Sequence, residues 1–97
     1  ITITKGGILF NTYTPHDIQI KLKDFLKKER KSRKLTIKKI TELSGVPNST
    51  IRLFEKTGNI SLRNFLLLYA LLYDIDDITN LMDKRLPRTM DEVLKNA

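Results

Sequence analysis

At Thr14-Pro15 the spacing of apolar residues changes from about two to about 3.6, and the chain keeps the longer period as far as residue 83. Before that point Ile1-Thr2-Ile3-Thr4 alternates, Lys5-Gly6-Gly7 is a turn signal, and Ile8 to Thr14 is rich in β-formers. Residues 1–14 are therefore expected to be an extended arm, as one strand or a small hairpin. A lone hairpin is marginal in water, so such an arm needs a surface to pack or pair against.

Beyond the switch, start and stop signals cut the chain into short helices. Thr14 is a good N-cap, Pro15 suits the first helical position, and Asp17 favours the positive end of the helix dipole. Ile18, Leu22, Phe25 and Leu26 then mark an inward stripe, with Lys21, Lys23, Lys27, Lys28, Arg30 and Lys31 on the other face. Thr36 opens a second helix with Ile37, Ile40 and Leu43 inward, ended by Ser44-Gly45. A third begins near Pro47-Asn48, buries Ile51 and Phe54, and stops at Thr57-Gly58. Ser61 caps a fourth, from Leu62 to about Tyr73. Asp76 or Asp77 starts a fifth, with Ile78, Leu81 and Met82 inward. After a linker broken by Pro87, Thr89-Met90-Asp91-Glu92 fits a capping box for a last short helix. The expected organisation is all-α: an arm at 1–14, a five-helix domain at 15–83, and a linker and tail at 84–97.

Ninety-seven residues suggest one domain, and a domain this small is only marginally stable. The absence of cysteine excludes a disulfide framework and Cys-type zinc sites, and fits a reducing compartment. The longest apolar run, Phe65 to Tyr73, is too short for a bilayer, and the threonine-rich first 14 residues show no secretory pattern. A cytoplasmic protein is the expectation. The formal charge of +7 is unevenly placed: ten of the 18 basic residues fall between Lys21 and Lys39, against only Asp24 and Glu29. Asp74, Asp76, Asp77 and Asp83 make the region after Tyr73 acidic. One face for a polyanion, with an acidic region turned away from it, is the pattern expected of a nucleic-acid binder.

A short helix, a tight turn at Gly45 and a second short helix are the parts of a helix-turn-helix. Arg30, Leu35-Thr36, Ile40, Gly45-Val46, Ser49-Thr50-Ile51, Glu55, Gly58 and Ser61-Leu62 occur in the order and spacing of the Cro/cI-type (XRE) regulators. Over roughly residues 15–83 the chain resembles that family, with its lambda-repressor-like five-helix domain. Phe54-Glu55-Lys56-Thr57-Gly58-Asn59-Ile60-Ser61-Leu62, with Thr89 to Leu94 in the tail, further resembles HipB-like antitoxins. That resemblance implies a repressor that autoregulates its operon in the bacterial nucleoid and pairs with a HipA-type kinase toxin. Three positions depart from the pattern. Ile37 stands where the family has a phosphate-clamping glutamine, Thr41 where it has alanine, and Pro47 where it has Ser or Thr, which would pass the capping role to Asn48.

In such a domain the third helix enters the major groove. Asn48, Ser49 and Arg52 are then candidates for hydrogen bonds to bases, and Leu53 for contact with a thymine methyl. Each has a plainer alternative: Asn48 as a helix cap, Ser49 as a solvated hydroxyl, Leu53 as packing. Lys34, Lys38, Lys56 and Asn59 are the candidates for phosphate contacts. The fourth helix leaves no wet face, so Leu67, Ala70 and Leu71 are expected at a two-fold dimer contact that matches a palindromic duplex operator. Catalysis is not expected, since no nucleophile set can be built around the single His16, and Gly6-Gly7 lacks the rest of a phosphate loop. No metal or other cofactor is expected. A protein-interaction module without operator binding is the main alternative. Attachment of the basic helix to a membrane surface is a weaker one, because that helix needs its apolar face for the core.

Overall fold

The computed structural model describes residues 2–5, 8–11 and 13–83, with side chains from residue 13. The expected linker and capping-box helix at 84–97 lie outside the described residues. Thr2–Lys5 (β1) and Ile8–Asn11 (β2) pair antiparallel, Thr2 opposite Asn11 and Lys5 opposite Ile8. Five helices follow: Pro15–Ser32 (α1), Ile37–Ser44 (α2), Asn48–Thr57 (α3), Leu62–Leu72 (α4) and Asp76–Asp83 (α5).

The helix starts are set by side chains that satisfy otherwise orphaned amides. Thr14 and Asp17 form a reciprocal capping box, each side chain accepting from the other's backbone N–H. Those bonds hold the Asp17 carboxyl below its ordinary value. Thr36 accepts from the Lys39 amide and Ser61 from the Asn64 amide. The α3 start differs from expectation. Pro47 occupies the cap position with no side-chain bond, and Asn48 is already the first helical residue. Pro47 has the extended ψ of 145° that a cap requires, so Asn48 lies one position too late to cap, and its side chain turns along the helix instead.

The ends of α1, α2 and α3 are set by left-handed residues. Gly45 and Gly58 have φ of 79° and 83° and close α2 and α3. A side chain at Gly45 would meet open space, whereas a Cβ at Gly58 would lie 3.1 Å from the Gln19 carbonyl oxygen. Gly58 is thus required twice, by its backbone and by the close pass of α1. At the end of α1 the same geometry falls on Lys34, at φ 56°. The Lys34 amide donates to Lys31 O and the Leu35 amide to Arg30 O, which together make a Schellman closure.

α1 packs on α3 and α4, and α2 packs on α3 and α4. The buried centre consists of Leu26, Ile40, Val46, Ile51, Phe54, Leu68 and Leu72. Each such side chain contributes about 1.5–3 kcal/mol relative to exposure. Val46, in the α2–α3 turn, is completely buried, and its amide donates to Ser44 Oγ, which in turn donates to Ile40 O.

Five residues expected inside are exposed: Ile18 and Phe25 on α1, Leu43 on α2, and Leu81 and Met82 on α5. Their spacing is helical, but the bundle covers a narrower arc of each helix than the apolar stripe spans. Phe25 instead stacks on Tyr73, ring centroids 4.8 Å apart. α5 is tied to α4 by the Tyr69 hydroxyl donating to Asp77, and this bond raises the Tyr69 hydroxyl above its ordinary pKa.

A candidate nucleic-acid interface between α1, α2 and α3

The turn at Ser44 to Pro47 sets α3 against α2, and an ion pair sets it against α1. Arg30 Nε and Nη2 donate to the two Glu55 carboxylate oxygens at 2.7 and 2.9 Å, while Nη1 donates to Leu35 O at 2.7 Å. Both side chains are largely buried, at 12% and 10% exposure. A bidentate pair with a third bond to the backbone fixes angle as well as distance, so α3 cannot rotate without breaking it.

With α3 locked in that orientation, Ile51 and Phe54 face the core while Ser49, Arg52, Leu53 and Lys56 face outward. An open groove of about 430 Å³ runs beside this face, lined by Lys27, Arg30, Lys31, Ile37, Arg52, Glu55 and Lys56. Glu55 is committed to Arg30, which leaves Lys27, Lys31, Arg52 and Lys56 without a carboxylate partner among the described residues. Ile37, the first residue of α2, forms one wall. The Thr36 cap takes the Lys39 amide, and the Ile37 and Lys38 amides at that helix start have no hydrogen-bond partner among the described residues, which leaves them for an anion.

Of the expected base-reading residues, Ser49, Arg52 and Leu53 are exposed on one side of α3, and Asn48 is half-buried at its start. Arg52 reaches back along the helix, its Nε donating to Asn48 Oδ1 at 2.6 Å. Of the expected phosphate-contacting residues, only Lys56 lines the groove. Lys34, Lys38 and Asn59 are exposed outside it, Lys34 in the α1–α2 turn, Lys38 on α2 and Asn59 after Gly58. Lys27 and Lys31 line the groove and were not among the expected site residues. Their signal in the sequence is their i, i+4 spacing on the basic face of α1, on the same side as Arg30.

A second surface is apolar. Leu62, Arg63, Leu66, Leu67, Ala70 and Ile75 line an open depression of about 520 Å³ on α4 and the turn after it. Leu67 and Ala70 thus lie on one surface, Ala70 exposed and Leu67 half-buried against the core, while Leu71 packs against the core without lining it. At the far end of α4, Arg33 bridges Glu29 and the Leu72 carbonyl, and Tyr73 donates its hydroxyl to Glu29 at 3.0 Å. The Arg33 guanidinium, then the Tyr73 hydroxyl, hold the Glu29 carboxyl below its ordinary value, whereas desolvation, then Glu29, push Tyr73 up.

Among the described residues no cluster of three His, Cys, Asp or Glu side chains could hold a metal ion, and no helix is long and apolar enough to cross a membrane. No model of a known protein family, no curated protein and no solved structure matches this chain.

Proposed function

We propose that the chain is a sequence-specific DNA-binding repressor of the Cro/cI helix-turn-helix type, with α3 as its recognition helix. The observation that carries this reading is the basic groove alongside the exposed face of α3. Lys27, Lys31 and Lys56, without carboxylate partners among the described residues, and two helix-start amides flank a row of polar and apolar side chains that includes Arg52. Phosphate contacts of that kind set affinity and register, while the row on α3 reads bases. Residues 15–83 form the binding domain, preceded by the arm at 1–14. The HipB-like pattern from Phe54 to Leu62 supports an antitoxin role, with a HipA-type kinase as partner and the nucleoid as site of action.

The test is fluorescence anisotropy with duplex DNA from the chain's own promoter, at two salt concentrations. Each neutralised phosphate steepens the log–log salt slope by about 0.9, so the three lysines of the groove predict roughly a fortyfold loss between about 50 and 200 mM salt. Salt-independent binding, or equal affinity for promoter and random DNA, overturns the reading.

A protein-interaction module of the same fold is the second reading, favoured by the apolar surface on α4. It predicts co-purification with the product of the adjacent gene in the absence of any duplex binding.

A further inference from the structure

The geometry points to guanine as the base selected by the first turn of α3, with Arg52 as the reader and Asn48 as the residue that positions it. This deepens the DNA-binding reading above and rests on it.

Asn48 is the first residue of α3, and Arg52 lies one helical turn later. The 2.6 Å bond between them runs from Arg52 Nε to Asn48 Oδ1. Because Nε–H only donates, the amide oxygen must face it, and the amide nitrogen is the atom left to face elsewhere. The bond also occupies one edge of the guanidinium. Nη1 and Nη2 have no hydrogen-bond partner among the described residues, so their end-on fork is open. The pair therefore presents donors alone: two terminal guanidinium nitrogens and the Asn48 amide nitrogen.

In the major groove only guanine shows two adjacent acceptors, N7 and O6. Adenine sets its N6 amino group beside N7, so one arm of the fork would meet a donor. Cytosine shows a donor, and thymine a single acceptor beside a methyl. Asparagine reads adenine by accepting from N6 while donating to N7. Here the oxygen needed for the first of those bonds faces Arg52, so the adenine readout of Asn48 is closed. A phosphate would also accept the fork. Arg52 lines the same groove as Lys27, Lys31 and Lys56, but alone among these cations it is drawn back to the first turn of α3 by a side-chain bond, which leaves the lysines to the phosphates.

The experiment selects duplexes from a randomised pool with the full chain, then measures affinities for the wild type, Arg52→Ala, Asn48→Ala and Asn48→Asp. The selected duplexes are expected to share a G·C pair whose replacement by A·T lowers affinity about ten- to a hundredfold, and 7-deazaguanine, which lacks only N7, is expected to lower it less. Arg52→Ala brings that ratio close to one. Asn48→Ala, at the half-buried first residue of α3, lowers the ratio about threefold or more by freeing the Arg52 fork. Asn48→Asp keeps the acceptor and so keeps the ratio, although its charge weakens binding to every duplex. Selected sites indifferent to G→A overturn the inference. So does an Arg52→Ala variant that loses affinity for all sequences alike, which would make Arg52 a phosphate contact, or an Asn48→Ala variant that keeps the full ratio. Failure of the DNA-binding reading itself looks different: no duplex is enriched, and no variant binds in a salt-dependent way.

Discussion

Lys34 carries a φ of 56°, and among the described residues it is the one non-glycine in the left-handed region. A Cβ there costs about 1–2 kcal/mol, and the Schellman closure of α1 holds the residue in place regardless. Lys34→Gly removes that strain, partly offset by the greater freedom of glycine in the unfolded chain. A net gain of about 1 kcal/mol is expected, read as a higher urea midpoint. If Lys34 also meets a phosphate under the proposed function, the same variant binds DNA less tightly, so stability and affinity move in opposite directions. Thr41 offers a second test. Its Oγ1 is buried with no hydrogen-bond partner among the described residues, and it does not bond the carbonyl one turn back as a mid-helix threonine can. Thr41→Val exchanges the stranded hydroxyl for a methyl of similar size, and a gain of about 1 kcal/mol in urea unfolding is expected. A loss of stability would mean that the hydroxyl is satisfied in solution.

At the scale of elements, the joint between α1 and α4 has a defined acid response. The folded state holds the Glu29 carboxyl below its ordinary value through Arg33 and Tyr73. The unfolded chain therefore takes up this proton at a higher pH than the folded one does. The stabilisation is fully present above roughly pH 5 and is lost as pH falls through the lowered folded value. Glu29→Gln should leave the protein less stable at neutral pH and flatten the fall in its melting temperature between about pH 5 and pH 3. An unchanged pH profile would show that the joint contributes nothing to acid sensitivity. The elements themselves were largely legible in the sequence. Thr14, Thr36 and Ser61 mark helix starts, and Gly45 and Gly58 mark ends, because capping and left-handed closure are local requirements. The exposure of Phe25, Leu43 and Met82 was not legible, since spacing gives a face and only packing decides how much of it is covered. The candidate site divides the same way. The outward positions on α3 follow from helical spacing. The groove needs three helices in register, so Lys27 and Lys31 enter it only once Arg30 has locked α1 to α3.

For the whole molecule, the question is what covers the apolar depression on α4. Leu67 and Ala70 lie on it with Leu62, Leu66 and Ile75, on a surface separate from the basic groove. A second copy seated there would leave both grooves open, and two recognition helices about 34 Å apart would match successive turns of duplex DNA. Ala70→Glu, at an exposed position of the depression, would bury an unpaired carboxylate at that contact and is expected to sediment as a monomer with a near-parental circular dichroism spectrum. An unchanged dimer would place the contact elsewhere. The Arg30–Glu55 pair carries a consequence at this scale as well. It anchors α3 through residues that take no part in the outward row, and the core holds the helix through Ile51 and Phe54. Ser49, Arg52, Leu53 and Lys56 are thereby relieved of structural duty. Under the proposed function the chain can exchange any of them without disturbing its fold, so new target preferences would be accessible to it one substitution at a time through intermediates that all remain folded.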